Sequence, residues 1–135
     1  MPIGVSGTAV VRAADAMLRA LGGDEVGILF PAAGMPDDPS AQLGLVDPGV
    51  EEVKFSPVVT RSLPTDNVGP RRRLEFLIPG SAVVAQLSTR NVATAKDLFE
   101  SALGLVFDGS VLHIEGFTTE YFAGTAYLFR VVAVE

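Results

Sequence analysis

The chain has 135 residues, a net charge of −6, and 48% hydrophobic against 19% charged residues. At this length and composition one ordered domain over residues 1–135 is expected, with a core that needs no metal or cross-link to hold it. The absence of cysteine excludes disulfides and thiolate metal sites, and the acidic balance disfavours free nucleic acid as a main partner, because phosphate-backbone binding needs a Lys/Arg surface.

Met1-Pro2-Ile3-Gly4 has neither the basic start nor the apolar stretch of a signal peptide. No apolar run approaches the roughly 20 residues that span a bilayer, so the cytoplasm of the producing cell is the expected location and no membrane partner is expected. Val10, Ala13, Ala14, Met17, Leu18 and Leu21 recur at helical spacing and predict a helix over about Thr8–Leu21. Arg12, Asp15 and Arg19 share its opposite face, with Asp15 and Arg19 spaced for a weak ion pair. Ser6 or Thr8 can cap the start, and Gly22-Gly23 can end the helix in a left-handed turn. Gly4-Val5-Ser6-Gly7-Thr8 lacks the lysine and the preceding strand of a phosphate loop, so its simpler role is an entry and cap.

Glu25–Phe30 reads as a strand ended by Pro31. From Ala32 to Gly49, Gly and Pro interruptions and the pair Asp37-Asp38 predict a long loop, with a short strand at Gln42–Val46. A loop of this length is either an interaction arm or a plain connection. Val53–Leu63 is a second strand, with Pro57 marking an edge or bulge. Pro64–Pro70 is a turn-rich connection. In Arg73–Ile78, Leu74, Phe76 and Ile78 face one way and Glu75 and Leu77 the other. Pro79-Gly80 breaks this strand, and Ser81–Leu87 reads as a strand resuming on a new heading.

Thr94-Ala95-Lys96-Asp97 has the spacing of a capping box. It opens a short helix with the stripe Val92, Ala95, Leu98, Phe99, Ala102 and Leu103, stopped by Gly104. Asp108-Gly109 between Leu105–Phe107 and Val111–Glu115 is a hairpin signal, and Ala123-Gly124 between Phe117–Phe122 and Thr125–Val134 is a second. The last strand is apolar on both faces, so it should be central. The expected fold is mainly β (α+β): a small antiparallel, partly open β-barrel with an N-terminal helix and one short internal helix.

Chemistry-bearing patterns are sparse. Asp37-Asp38 and Glu51-Glu52 lack the spacing of a calcium loop, and no metal or cofactor is expected. His113, the single histidine, reads as a partly exposed strand residue beside Glu115. An enzyme using His113 with Glu115 or Glu120, the two acids approaching across a bend at Gly116, is the least favoured reading, since no nucleophile turn accompanies it. Arg71-Arg72-Arg73, with Arg61 before them, is a concentrated positive spot in an acidic chain. It reads either as a solvated turn or as a contact with an acidic surface or passing DNA. Asp37, Asp38, Asp47, Glu51 and Glu52 supply an acidic stretch that a head-to-tail neighbour could match. The expected interaction surface is therefore Arg61, Arg71, Arg72 and Arg73 with Asp37, Asp38, Glu51 and Glu52.

Several stretches together resemble the small head–tail connector and head-closure (stopper) proteins of tailed phages and prophages. They are the Ala-rich first helix ending Leu21-Gly22-Gly23 and running into Glu25–Phe30, the long loop, Val53–Arg61 and the arginine-rich turn. The segment Leu74-Glu75-Phe76-Leu77-Ile78-Pro79-Gly80-Ser81-Ala82-Val83 and the closing hairpins around Asp108-Gly109 and Gly124, which end Tyr127-Leu128-Phe129-Arg130-Val131-Val132, complete the likeness. The resemblance implies a non-enzymatic structural subunit that joins copies of itself and portal, adaptor or tail proteins in a ring, cytoplasmic or virion-associated. The alternative is a small-ligand-binding barrel using Tyr121, Phe122, Tyr127 and Phe129 of the closing strands.

Overall fold

A computed structural model describes residues 7–31, 49–64 and 71–135. The expected loop with Asp37, Asp38 and the short strand at Gln42–Val46 lies outside the described residues, as does most of the Pro64–Pro70 connection. The elements run α1 (Gly7–Ala20), β1 (Asp24–Pro31), β2 (Val50–Ser62), β3 (Arg73–Pro79), α2 (Gly80–Thr89), α3 (Ala95–Ser101), β4 (Gly104–Phe107), β5 (Ser110–Phe122) and β6 (Thr125–Val134).

The strands close into an antiparallel barrel in the order β1-β2-β3-β6-β5-β4. The barrel is closed where a partly open one was expected, because Gly27–Leu29 of β1 pair with Gly104–Val106 of β4. Alternation builds the interior. Ile28 and Phe30 of β1, Phe55 of β2, Phe76 and Ile78 of β3, Leu105 of β4, Leu112 of β5 and Val131 of β6 are all essentially without solvent contact. Each such side chain contributes about 1.5–3 kcal/mol relative to an exposed one. Phe76 meets Phe107 edge to face, ring centroids 5.5 Å apart.

β6 pairs with β3 and β5, and its two apolar faces are covered by the barrel interior and by α1. At Pro57 the chain does bulge. Asp24 pairs with Val58 and Val26 with Phe55, leaving one extra residue on β2. Beyond it, β2 leaves β1 and pairs with β3.

Helix α1 lies on the outside of the wall, along β6, β2 and β3. Its buried Ala14 and Leu18, with Leu128 of β6, stand apart from the interior cluster. Gly22, at φ +82°, takes the left-handed turn that ends it, and the Gly23 N–H donates to Leu18 O at 2.8 Å. Asp15 accepts a hydrogen bond from Ser81 Oγ at 3.0 Å, so it ties α1 to α2, and no Asp15–Arg19 ion pair forms among the described residues.

Ser81–Leu87 is not a strand. It belongs to α2, the second internal helix where one was expected. Pro79 sits at the N-cap in extended geometry, and Gly80 packs so closely under β6 that an added Cβ would lie 2.3 Å from Ala126 O. Strand β3 therefore ends against β6, and the chain turns into a helix that buries Val83 in the common core. For α3 the cap is as expected: Thr94 Oγ1 accepts from Asp97 N at 3.1 Å.

Asp108 and Gly109 (φ 51° and 77°) and Ala123 and Gly124 (φ 49° and 77°) form the two tight hairpin turns. The stretches expected as separate strands at Val111–Glu115 and Phe117–Phe122 are one strand, β5. Ile114 pairs with Ala133 and Gly116 with Val132, so one extra residue is absorbed there as a bulge and the ladder continues.

Candidate interaction surface

The arginines of the expected surface gather at one end of β2 and β3, and most of them are already paired. Arg61 Nε donates to Glu75 Oε1 at 2.6 Å. Arg73 Nε donates to Glu115 at 3.1 Å. Arg72 pairs with Glu135 and lies 4.0 Å from Asp108. Arg71 is exposed and has no ion-pair partner among the described residues. The positive spot is thus largely neutralised by acids from distant parts of the chain.

Arg130, the one charged residue of β6, extends this network. Its guanidinium reaches Glu120 at 3.1 Å and Glu75 at 3.5 Å. Arg61, Glu75, Arg130 and Glu120 therefore alternate in sign across β2, β3, β6 and β5. Glu75 is buried, and its pairing with two guanidiniums offsets the cost of desolvating it. Glu115 and Glu120 do not approach each other across a bend. Each is held by its own arginine, Arg73 and Arg130.

The acidic residues lie elsewhere. Glu51 and Glu52 stand at the start of β2, about ten residues and roughly 33 Å of extended chain from Arg61. Glu51 accepts from Arg90 at 2.9 Å. Arg90 also donates to Pro31 O at 3.0 Å and stacks its guanidinium 4.5 Å from the Phe30 ring centroid. Glu52 accepts from Lys54 Nζ at 2.9 Å, and that hydrogen bond raises the Lys54 ammonium above its ordinary value. The acidic and basic groups thus occupy opposite ends of one strand rather than one patch.

A feature that the sequence reading missed is a cleft of about 530 Å³ between α3 and β5. Phe99, Ile114 and Phe117 form its apolar floor, and Lys96, Glu100, His113 and Glu115 its rim. Phe99 and Phe117 stack at 4.8 Å between centroids, with Phe129 behind them at 6.0 Å from Phe99. A smaller hollow of about 250 Å³ lies on the other side of β5, over Gly116, Thr118, Arg130 and Val132. Tyr121, Phe122, Tyr127 and Phe129 line neither space. Phe129 is core, while Tyr121 and Phe122 are 66% and 43% exposed beside the hairpin turn.

His113 is exposed and shares the cleft with Glu115, but the carboxylate of Glu115 is engaged by Arg73. Among the described residues no group of three or more His, Asp or Glu side chains is placed to hold a metal ion, and no helix is long and apolar enough to cross a membrane. Comparison with protein-family models, with curated proteins and with solved structures finds no match for this chain.

Proposed function

We propose that the chain is a non-enzymatic structural subunit of a phage-like particle, a head–tail connector, neck or tail-completion protein that works through ring-type contacts between copies. The observation that carries this reading is the division of the molecule. Its barrel interior is packed with Ile28, Phe30, Phe55, Phe76 and Ile78, while Glu51 and Glu52 lie at one end of β2 and Arg61 at the other. A barrel packed in this way leaves its charged groups on the outside. Opposite poles on one subunit suit a head-to-tail contact, which closes into a ring when the rotation permits. Glu51 and Glu52 at one end and Arg61 and Arg71–Arg73 at the other are the groups such a contact would match. The Lys54–Glu52, Arg72–Glu135 and Arg73–Glu115 pairs are exposed on both sides and exchange partners at little cost, since such a pair is worth about 0–1 kcal/mol.

The layout resemblance supplies the particle. Portal, adaptor or tail proteins are the partners in this reading, with no membrane and no sequence-specific nucleic acid. The test is direct. Phage-like particles purified from the producing cell should contain the chain in fixed, ring-like stoichiometry, and cells lacking its gene should yield heads and tails that do not join. Complete, infective particles from the deletion strain would overturn the proposal.

The second reading, a small-ligand-binding barrel, draws on the α3–β5 cleft rather than on the aromatics first considered. Saturable binding of a small aromatic probe, lost on Phe117→Ala, would favour it.

A further inference from the structure

Strand β5 is thirteen residues long, yet β4 covers only Ser110–Leu112 of it. Among the described residues, its ladder from His113 onward is to β6 alone. The outward N–H and C=O groups of Gly116–Phe122 have no partner among the described residues. An open edge of this kind is a template for another strand.

The sequence along this edge is complementary to itself. In an antiparallel pairing centred on Thr119, Thr118 faces Glu120, Phe117 faces Tyr121 and Gly116 faces Phe122. No two like charges oppose each other. Facing residues lie on the same side of the sheet, about 4.5–5.5 Å apart between Cβ atoms. A second copy's Tyr121 would then stand beside Phe117, at the α3–β5 cleft whose floor Phe117 shares with Phe99. Its Phe122 would lie over Gly116, where a Cβ would meet nothing within 4 Å and where the smaller hollow opens.

The two most exposed aromatics of the chain thus each meet an empty space of aromatic size. Neighbouring registers fail. Centring on Glu120 sets two carboxylates face to face, and centring on Thr118 moves Tyr121 from beside Phe117 to a place opposite Glu115, which Arg73 already holds.

We propose that the free edge of β5 pairs with the same edge of a second copy about a two-fold axis at Thr119, each copy seating its Tyr121 and Phe122 in the two clefts beside Gly116 and Phe117 of the other. The contact is isologous, so it makes pairs rather than rings. It uses a different surface from the poles of β2 and does not rest on the particle reading. The bulge at Glu115 ends the regular edge close to where the partner's hairpin turns at Ala123-Gly124.

The chain has no cysteine, so single-cysteine variants report cleanly. Thr119→Cys treated with a short bis-maleimide should give a cross-linked dimer far faster than Val50→Cys, an exposed site at the other pole. Tyr121→Ser with Phe122→Ser should weaken the dimer by about tenfold or more while circular dichroism stays unchanged. Cross-linking at Thr119 no faster than at Val50, or a dimer indifferent to the two serines, would overturn the proposal. A ring that persists in the Tyr121→Ser, Phe122→Ser chain, with Thr119 cross-linking still at the parent rate, would keep the particle reading and remove this one. A dimer that forms through Thr119 and never grows larger would do the reverse.

Discussion

Glu75 on β3 accepts a 2.6 Å hydrogen bond from Arg61 on β2, and this carboxylate is buried while the guanidinium is half exposed. The acid therefore depends on its partners more than they depend on it. Replacing Glu75 by Gln keeps the shape and removes the charge. Urea denaturation should show a loss of about 1–2 kcal/mol, with most of the loss persisting in 1 M salt, because a buried pair is screened less than an exposed one. A loss that vanished in salt would mean that the pair is only a surface contact.

Asp15 and Ser81 join α1 to α2 across 66 residues of sequence. Asp15→Ala and Ser81→Ala should each cost about 1 kcal/mol. In a double-mutant cycle the pair should be non-additive, since either change alone already breaks the same bond. Strict additivity would show that the helices are held by packing alone.

Gly80→Ala has a diagnostic sign. In an ordinary helix the change stabilises by up to about 1 kcal/mol. Here the added methyl meets the backbone carbonyl of Ala126, which has no free rotamer to move aside. Thermal melting should therefore show destabilisation, of about 1–3 kcal/mol.

Phe99→Ala removes the ring that stacks on Phe117 and Phe129. Phe99 is buried, so the cost should be about 3–4 kcal/mol, read by chemical denaturation. A much smaller loss would mean that α3 is not part of the barrel core.

The fold was legible where local signals and tertiary demands agree. The helix α1, the alternation of Leu74, Phe76 and Ile78, the Thr94 cap and the two hairpin turns all rest on residues within a few positions of one another, although of the α1 stripe Ala14 and Leu18 are buried while Ala13, Met17 and Leu21 are exposed. Ser81–Leu87 misled because Val83 and Val84 favour strands, and because Pro79-Gly80 marks a break without fixing the type of the next element. The contact of Gly80 with Ala126, which stops β3 there, joins residues 46 positions apart by number. Gly116 looked like a strand end because a bulge and a break leave the same mark in sequence. The arginine cluster looked available for partners because its acids, Glu115 and Glu135, lie 42 and 63 residues away. Only the register of β3 on β6 and β6 on β5 brings them together. The edge of β5 that is left without a partner among the described residues comes from the shortness of β4, which no residue of β5 announces.

Sedimentation of the purified chain over a wide concentration range tests the central claim most directly. A particle subunit with complementary poles should leave the 14.1 kDa monomer mass and sediment as a closed oligomer of defined size as concentration rises. A chain that remains a monomer throughout would contradict it.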